Sequence, residues 1–283
     1  MKVTRRPPLL AVALAAVLIL STAACGSTEG DTGSGDGGGG GSGGKITTIE
    51  PGELTVGSDI PYPPFEYRKG GKLVGLDIDL ITAVAKRLKL DLPTDNIIDT
   101  NFNTIFGQLA GARFDVVAAA STITPDREKE VDFTIPYYNS QQSLTVEKGS
   151  DIETIDDLSS GDTVGVQNGT TGKDYAEKKL PSSVEVRSFP QGPDGYTALE
   201  AGQLDAVIND EPTAIAEIAE RSGLEIAQRI DTGEVYGFAV DPNNDPLRMA
   251  IDKELKKMIA DGTYQKIYDR YAQLPPGGSV GKK

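Results

Sequence analysis

Apolar positions fall into three regimes along this chain of 283 residues. Leu9–Leu20 is an unbroken apolar run. Residues 26–44 are nearly free of apolar side chains, and eleven of those nineteen are Gly. From Lys45 to Leu274, short apolar blocks alternate with stretches in which apolar residues recur every three or four positions. Leu76, Leu80, Val84 and Leu88 share one face of a helix predicted over 76–90. Further helices are predicted at 102–109 (ending before Gly111), 175–180, 197–201 (closed by Gly202), 247–259 and 263–271. The blocks 54–58, 114–120, 164–166 and 204–208 read as strands. Strand and helix alternating at this spacing predict an α/β fold with mainly parallel sheets. The stretches GQLAGARFDVVAAAST and ALEAGQLDAVINDE both run helix, glycine turn, Asp, buried strand and polar end. Such an echo predicts two lobes.

Ligands of open α/β sheets bind beyond the carboxyl ends of the strands, so the residues after each strand are the candidates. After 54–58 come Asp59 and Tyr62, in a loop stiffened by Pro61, Pro63 and Pro64. After 114–120, Thr124 and Pro125 read as the N-cap and first residue of a helix, which puts Arg127 in the first turn. A cation there opposes the helix dipole. Either Arg127 pairs locally with Asp126 or Glu130, or it receives an anion. The Gly/Thr turn 167–172 suits a carboxylate but lacks the lysine and spacing of a phosphate loop. Asp210, after 204–208, either caps the next helix or accepts an ammonium group.

Composition narrows the chemistry. The chain has no His, which removes His-dependent catalysis and His-ligated metals, and its single Cys permits neither an intrachain disulfide nor a Cys-based zinc site. No cofactor and no catalytic residue are expected. The net charge of −14 argues against nucleic acid as a partner.

The N-terminus reads as an address. Lys2, Arg5 and Arg6 precede the apolar run, which has the length of a signal-peptide core rather than a membrane span. Loss of those three cations takes the net charge from −14 to −17. Ser21-Thr22-Ala23-Ala24-Cys25 resembles the lipobox of bacterial lipoproteins, with Thr22 where Leu is usual. The resemblance implies cleavage before Cys25 and lipidation of Cys25. The Gly-rich segment 26–44 is too polar to pack, and as a flexible tether it spans roughly 25 Å.

The blocks GSDIPYPPFEY, GKLVGLDIDL, FDVVAAASTITPDREKEVDFTIPYY, VGVQNGTTGKDYAE, LEAGQLDAVINDEP and ADGTYQKIYDRY are similar to those of the family 3 solute-binding proteins of bacterial ABC importers. The resemblance runs from Lys45 to Tyr271, in the family's order. It implies an α/β, two-lobe periplasmic-binding-protein clamshell of type II (the Venus flytrap), hinged near Gln142–Val146 and Tyr236–Val240. The expected division is signal peptide 1–24, lipidated Cys and tether 25–44, lobe 1 at 45–141 with 238–274, lobe 2 at 142–237, and a disordered tail 275–283.

Carried onto this sequence, the resemblance implies that Arg127 clamps the α-carboxylate of an amino acid. Thr122, the backbone at Ala120, and Thr170 and Thr171 assist, and Asp210 binds the α-ammonium. Tyr62 and Phe102 sandwich the ligand side chain, and Asp59 meets its polar end. Gln167 and Asn209 stand where other members tune specificity. Ala119 and Ala120 stand where some binders of basic amino acids carry Ser. An aromatic clamp with Asp59 implies glutamine or a basic amino acid ahead of Glu or Asp. The implied partners are a free amino acid, ABC permease subunits and, through Cys25, a membrane, for a monomer outside the cytoplasmic membrane. The competing functions are a cyclohexadienyl dehydratase-like enzyme on the same fold and a sensor acting through a separate receptor.

Overall fold

The structure is a computed structural model and describes residues 45–280. The signal segment, Cys25 and the tether lie outside the described residues, as do residues 281–283.

The first lobe begins with β1 (Val56–Ser58), the hairpin β2 (Tyr67–Lys69) and β3 (Lys72–Val74), and α1 (Leu76–Leu88). It continues with β4 (Ile97–Asp99), α2 (Phe102–Ala110), β5 (Val116–Val117) and β6 (Asp132–Phe133). The second lobe holds β7 (Tyr138–Glu147), β8 (Thr163–Gln167), α3 (Thr171–Lys179), β9 (Glu185–Phe189), α4 (Gly192–Glu200), β10 (Ala206–Asp210), α5 (Glu211–Glu220) and β11 (Leu224–Tyr236). The chain then returns to the first lobe for β12 (Ala239–Val240), α6 (Asp245–Ala260) and α7 (Thr263–Tyr268).

Each lobe is built on one five-stranded sheet. Their orders are β4-β1-β5-β12-β6 and β11-β7-β10-β8-β9. The pairs β1–β4, β1–β5, β8–β9 and β8–β10 are parallel. The strands nearest the crossings between lobes, β12, β7 and β11, pair antiparallel. The sheets are therefore mixed rather than mainly parallel: the long β7 and β11 run back alongside strands joined by helical crossovers.

Helix α1 shows why the pattern gave this fold. Leu76, Leu80, Ile81 and Val84 are fully buried, and they share a core with Leu247, Ile251, Leu255 and Met258 of α6. Burial of each such side chain stabilises the fold by about 2 kcal/mol. Asp77 and Asp79 lie in its first turn, Lys86 and Arg87 in its last, matching the helix dipole. Lys89 ends it in the left-handed conformation at φ 59°.

The chain passes between sheets at 134–137 and at 237–238. Because β7 belongs wholly to the second sheet, Tyr138–Gln141 lie in the second lobe, and the first crossing precedes the expected Gln142–Val146. Tyr137 N donates to Tyr236 O at 2.9 Å across the crossing. Tyr137 stacks on Phe238 at 4.5 Å and Tyr138 on Tyr236 at 5.3 Å. The tail expected to be disordered from 275 is ordered through 280. Tyr268 donates to Pro275 O, Gly278 is buried against the Tyr138 ring, and Ser279 bridges Tyr138. A side chain at 278 would collide with that ring.

Candidate functional site

Eleven of the twelve expected ligand-binding residues line one narrow cleft between the lobes. From the first lobe come Asp59 and Tyr62 after β1, Phe102 opening α2, Ala119, Ala120 and Thr122 after β5, and Arg127. From the second come Gln167, Thr170 and Thr171 around the β8–α3 turn and Asp210 at the end of β10. Asn209 stands behind them. Its side-chain oxygen accepts from Tyr62 and from Asp210 N. In a broader groove beside Pro61, Pro63, Glu217 and Arg221, the Arg221 guanidinium is paired with Glu217.

Thr124 and Pro125 do not start an α-helix. Residues 127–129 form one 3₁₀ turn, in which Thr124 Oγ1 accepts from Arg127 N at 3.2 Å. The dipole argument for Arg127 therefore falls, but the local ion pair falls too. Asp126 pairs with Lys129, and no carboxylate among the described residues lies within 4.0 Å of the Arg127 guanidinium. The guanidinium donates instead to Thr122 O at 2.7 Å and, across the cleft, to Gly169 O at 3.1 Å. It also lies 5.0 Å over the Phe102 ring and 5.2 Å over the Phe106 ring. Burial holds its pKa below the ordinary arginine value.

Asp210 precedes α5, yet its carboxylate makes no cap hydrogen bond to that helix. It accepts from Tyr62 at 2.8 Å, Gln142 at 2.5 Å and Tyr236. Burial raises its pKa to about 6, aided by the charge of Glu234 and opposed by those three donors. No cation among the described residues pairs with it.

Asp59 is 1% exposed and accepts from Gln167 at 2.5 Å and Gln191 at 3.1 Å, both from the second lobe. Burial raises its pKa to about 7; the two amides lower it and Asp99 raises it. Gln191 Oε1, beside it, is a buried acceptor with no donor among the described residues. This end of the cleft thus offers acceptors.

Ala120 adopts φ 44°, a left-handed conformation unusual for a residue with a Cβ. Asp77 Oδ2 holds its N–H at 2.9 Å and also accepts from Tyr137 at 2.6 Å. Burial raises the Asp77 pKa to about 7. Thr170 caps α3: its hydroxyl accepts from Lys173 N and donates to Gln167 O at 2.8 Å, so its one proton is committed. Gly169 has φ 75°, and a Cβ there would lie 2.8 Å from Asn103 Cα in the opposite lobe. Only glycine meets both conditions at this approach.

Sequence reasoning missed Gln142, Gln191, Glu234 and Tyr236. Gln142, Glu234 and Tyr236 lie within β7 and β11, away from the loops where ligand residues were sought. Glu234 follows a register shift at Ile230/Glu234, which no local residue pattern announces.

Comparison with known proteins gives the family. The model for bacterial extracellular solute-binding proteins, family 3, matches residues 54–274. The chain is 30% identical over 265 residues to the glutamine-binding protein GlnH of a Bacillus subtilis (strain 168) ABC transporter, covering 94% of this chain and 96% of that one. It is 31% identical to ABC transporter arginine-binding protein 1 of Escherichia coli (strain K12), over 77% of this chain and 90% of that one. Among solved structures, an ancestral arginine-binding protein bound to glutamine superposes with a TM-score of 0.75 at 37% identity, covering 80% of this chain and 100% of the other. With a family model spanning both lobes and the cleft, this chain belongs to the bacterial extracellular solute-binding proteins, family 3.

Proposed function

We propose that this protein is the substrate-binding component of an ABC importer for a polar amino acid. One observation carries the reading. A cation, Arg127, and a buried carboxylate, Asp210, face the same cleft, pair with no opposite charge among the described residues, and do not pair with each other. An amino-acid zwitterion supplies the missing partner to each. Arg127 takes the α-carboxylate through its planar fork, with the backbone near Ala120, Thr170 and Thr171 in support. Asp210 takes the α-ammonium. The Tyr62 and Phe102 rings hold the apolar stem of the ligand side chain. Asp59, Gln167 and Gln191 receive a donor at its tip, which favours glutamine, arginine, lysine or ornithine over an acidic side chain.

Ligand that touches both lobes stabilises the closed form by its differential affinity for it. The closed form then delivers the amino acid to a membrane permease. Lipidation of Cys25 and the Gly-rich tether would keep a monomeric protein within reach of that permease, outside the cytoplasmic membrane. The absence of His from the whole chain limits proton-transfer chemistry, and the reading is of a binder that returns its ligand unchanged.

Calorimetry on the protein lacking its leader, against all proteinogenic amino acids, tests this. Micromolar or tighter binding of a polar amino acid, recovered intact after incubation, is expected. Binding of none of them, or chemical conversion of the one bound, overturns the proposal.

A further inference from the structure

We propose that Glu234 is a positioning residue that turns the hydroxyls of Thr122 and Thr171 into acceptors for the ligand α-ammonium; this rests on the amino-acid reading above.

Glu234 Oε2 accepts from Thr122 Oγ1 at 2.9 Å and from Thr171 Oγ1 at 2.9 Å, one hydroxyl from each lobe. A hydroxyl has one proton to donate, and a carboxylate can only accept. Both protons therefore point at Glu234, and what these hydroxyls present to the cleft is lone pairs. That is the reverse of the carboxylate-binding role expected for them. The Gln142 amide nitrogen is likewise committed, donating to Asp210 Oδ1 at 2.5 Å, to Glu234 Oε1 at 3.1 Å and, at 3.3 Å, to Thr171 Oγ1, which keeps one lone pair for the cleft. Through this shared donor the two carboxylates stand side by side, and Glu234 is close enough to raise the pKa of Asp210. One end of the cleft thus collects acceptors and negative charge. An ammonium has three protons to place, and Asp210, Thr122 and Thr171 offer three acceptors.

Exchange of the carboxylate for an amide frees the hydroxyl protons, because an amide donates as well as accepts. The test compares an amino acid with its desamino analogue: L-arginine with 5-guanidinopentanoate, and L-glutamine with 4-carbamoylbutanoate. In E234Q, affinity for the amino acid should fall about tenfold or more, while the desamino analogue changes by less than about threefold. Thr122→Val should reproduce that pattern, and E234Q should add little to it in the double variant. Equal weakening of both probes, or no weakening of either, overturns the role of Glu234 and leaves the proposed function standing. Failure of wild-type protein to bind either amino acid overturns both. An unchanged melting midpoint in Thr122→Val keeps the comparison decisive should E234Q unfold.

Discussion

Tyr62 directs its single hydroxyl proton across the cleft to two acceptors of the opposite lobe, Asn209 Oδ1 and Asp210 Oδ2, each at 2.8 Å. The same residue thus offers its ring to the cleft and ties the lobes together. Tyr62→Phe keeps the ring and removes the tie. A hydrogen bond to a charged group is worth about 1.5–3 kcal/mol, so ligand affinity should fall by roughly tenfold to a hundredfold. Calorimetry together with solution scattering checks this: the ligand-bound variant should also close less completely. An unchanged affinity would reduce Tyr62 to its ring.

Arg127→Met should separate stability from binding. The guanidinium pairs with no carboxylate among the described residues, so the fold gains little from its charge, and thermal stability should move by less than about 1 kcal/mol. Binding should fall by about a hundredfold or more, the consequence of leaving a desolvated ligand carboxylate unpaired. Arg127→Lys should recover only part of the loss, since an ammonium lacks the planar fork. A fully active lysine variant would argue against a bidentate clamp.

The pH profile distinguishes ligand classes. A zwitterion requires Asp210 ionised, and its pKa is about 6. A cationic side chain also requires Asp59 ionised, at about 7. Affinity for arginine or lysine should therefore rise from pH 5 to about 8 and then level, with protons released on binding between about pH 6 and 7. Glutamine, whose amide pairs with either form of Asp59, should respond to the Asp210 step alone. Calorimetry in buffers of different ionisation enthalpy reads the proton count directly.

Asp77 supplies a test on the fold itself. Its pKa is about 7 in the folded protein against an ordinary 3.8. Between those values the folded chain keeps a proton that the unfolded chain has lost. Its stabilising contribution is full below about pH 4, declines as pH rises towards 7 and is lost above. Asp77→Asn should flatten that decline in denaturant melts between pH 4 and 7. It should also preserve the oxygen that holds the Ala120 N–H. A slope unchanged by the substitution would assign the pH dependence to other buried acids, Glu66 first, whose pKa burial also raises and whose carboxylate oxygens have no partner among the described residues.

Much of the site was legible because its chemistry sits at strand ends, where a polar residue after an apolar block stands out. Asp59, Arg127 and Asp210 were each singled out that way, and the structure brings the three to one cleft. The reason given for Arg127 was wrong in part: Thr124-Pro125 reads as a helix start, yet only one 3₁₀ turn forms. What stayed hidden depends on register. In β11, Glu225, Arg229, Asp231 and Glu234 read alike as charges on a polar strand. The last of them follows the register shift between Ile230 and Glu234 and reaches the hydroxyls of Thr122 and Thr171, which line the cleft. The ordered tail was missed for a similar reason. Pro-Pro-Gly-Gly has the composition of coil, and its fit against Tyr138 depends on a partner more than a hundred residues away.

The bare Cα of Gly169 has a consequence for engineering. A methyl group at 169 would meet the Asn103 backbone like a doorstop, so that the jaws close fully only if one of them gives way, while no side chain lining the cleft has been exchanged. Escape of a trapped solute then becomes adjustable at one codon, and a graded series of side chains at 169 would turn a single scaffold into carriers with different dwell times.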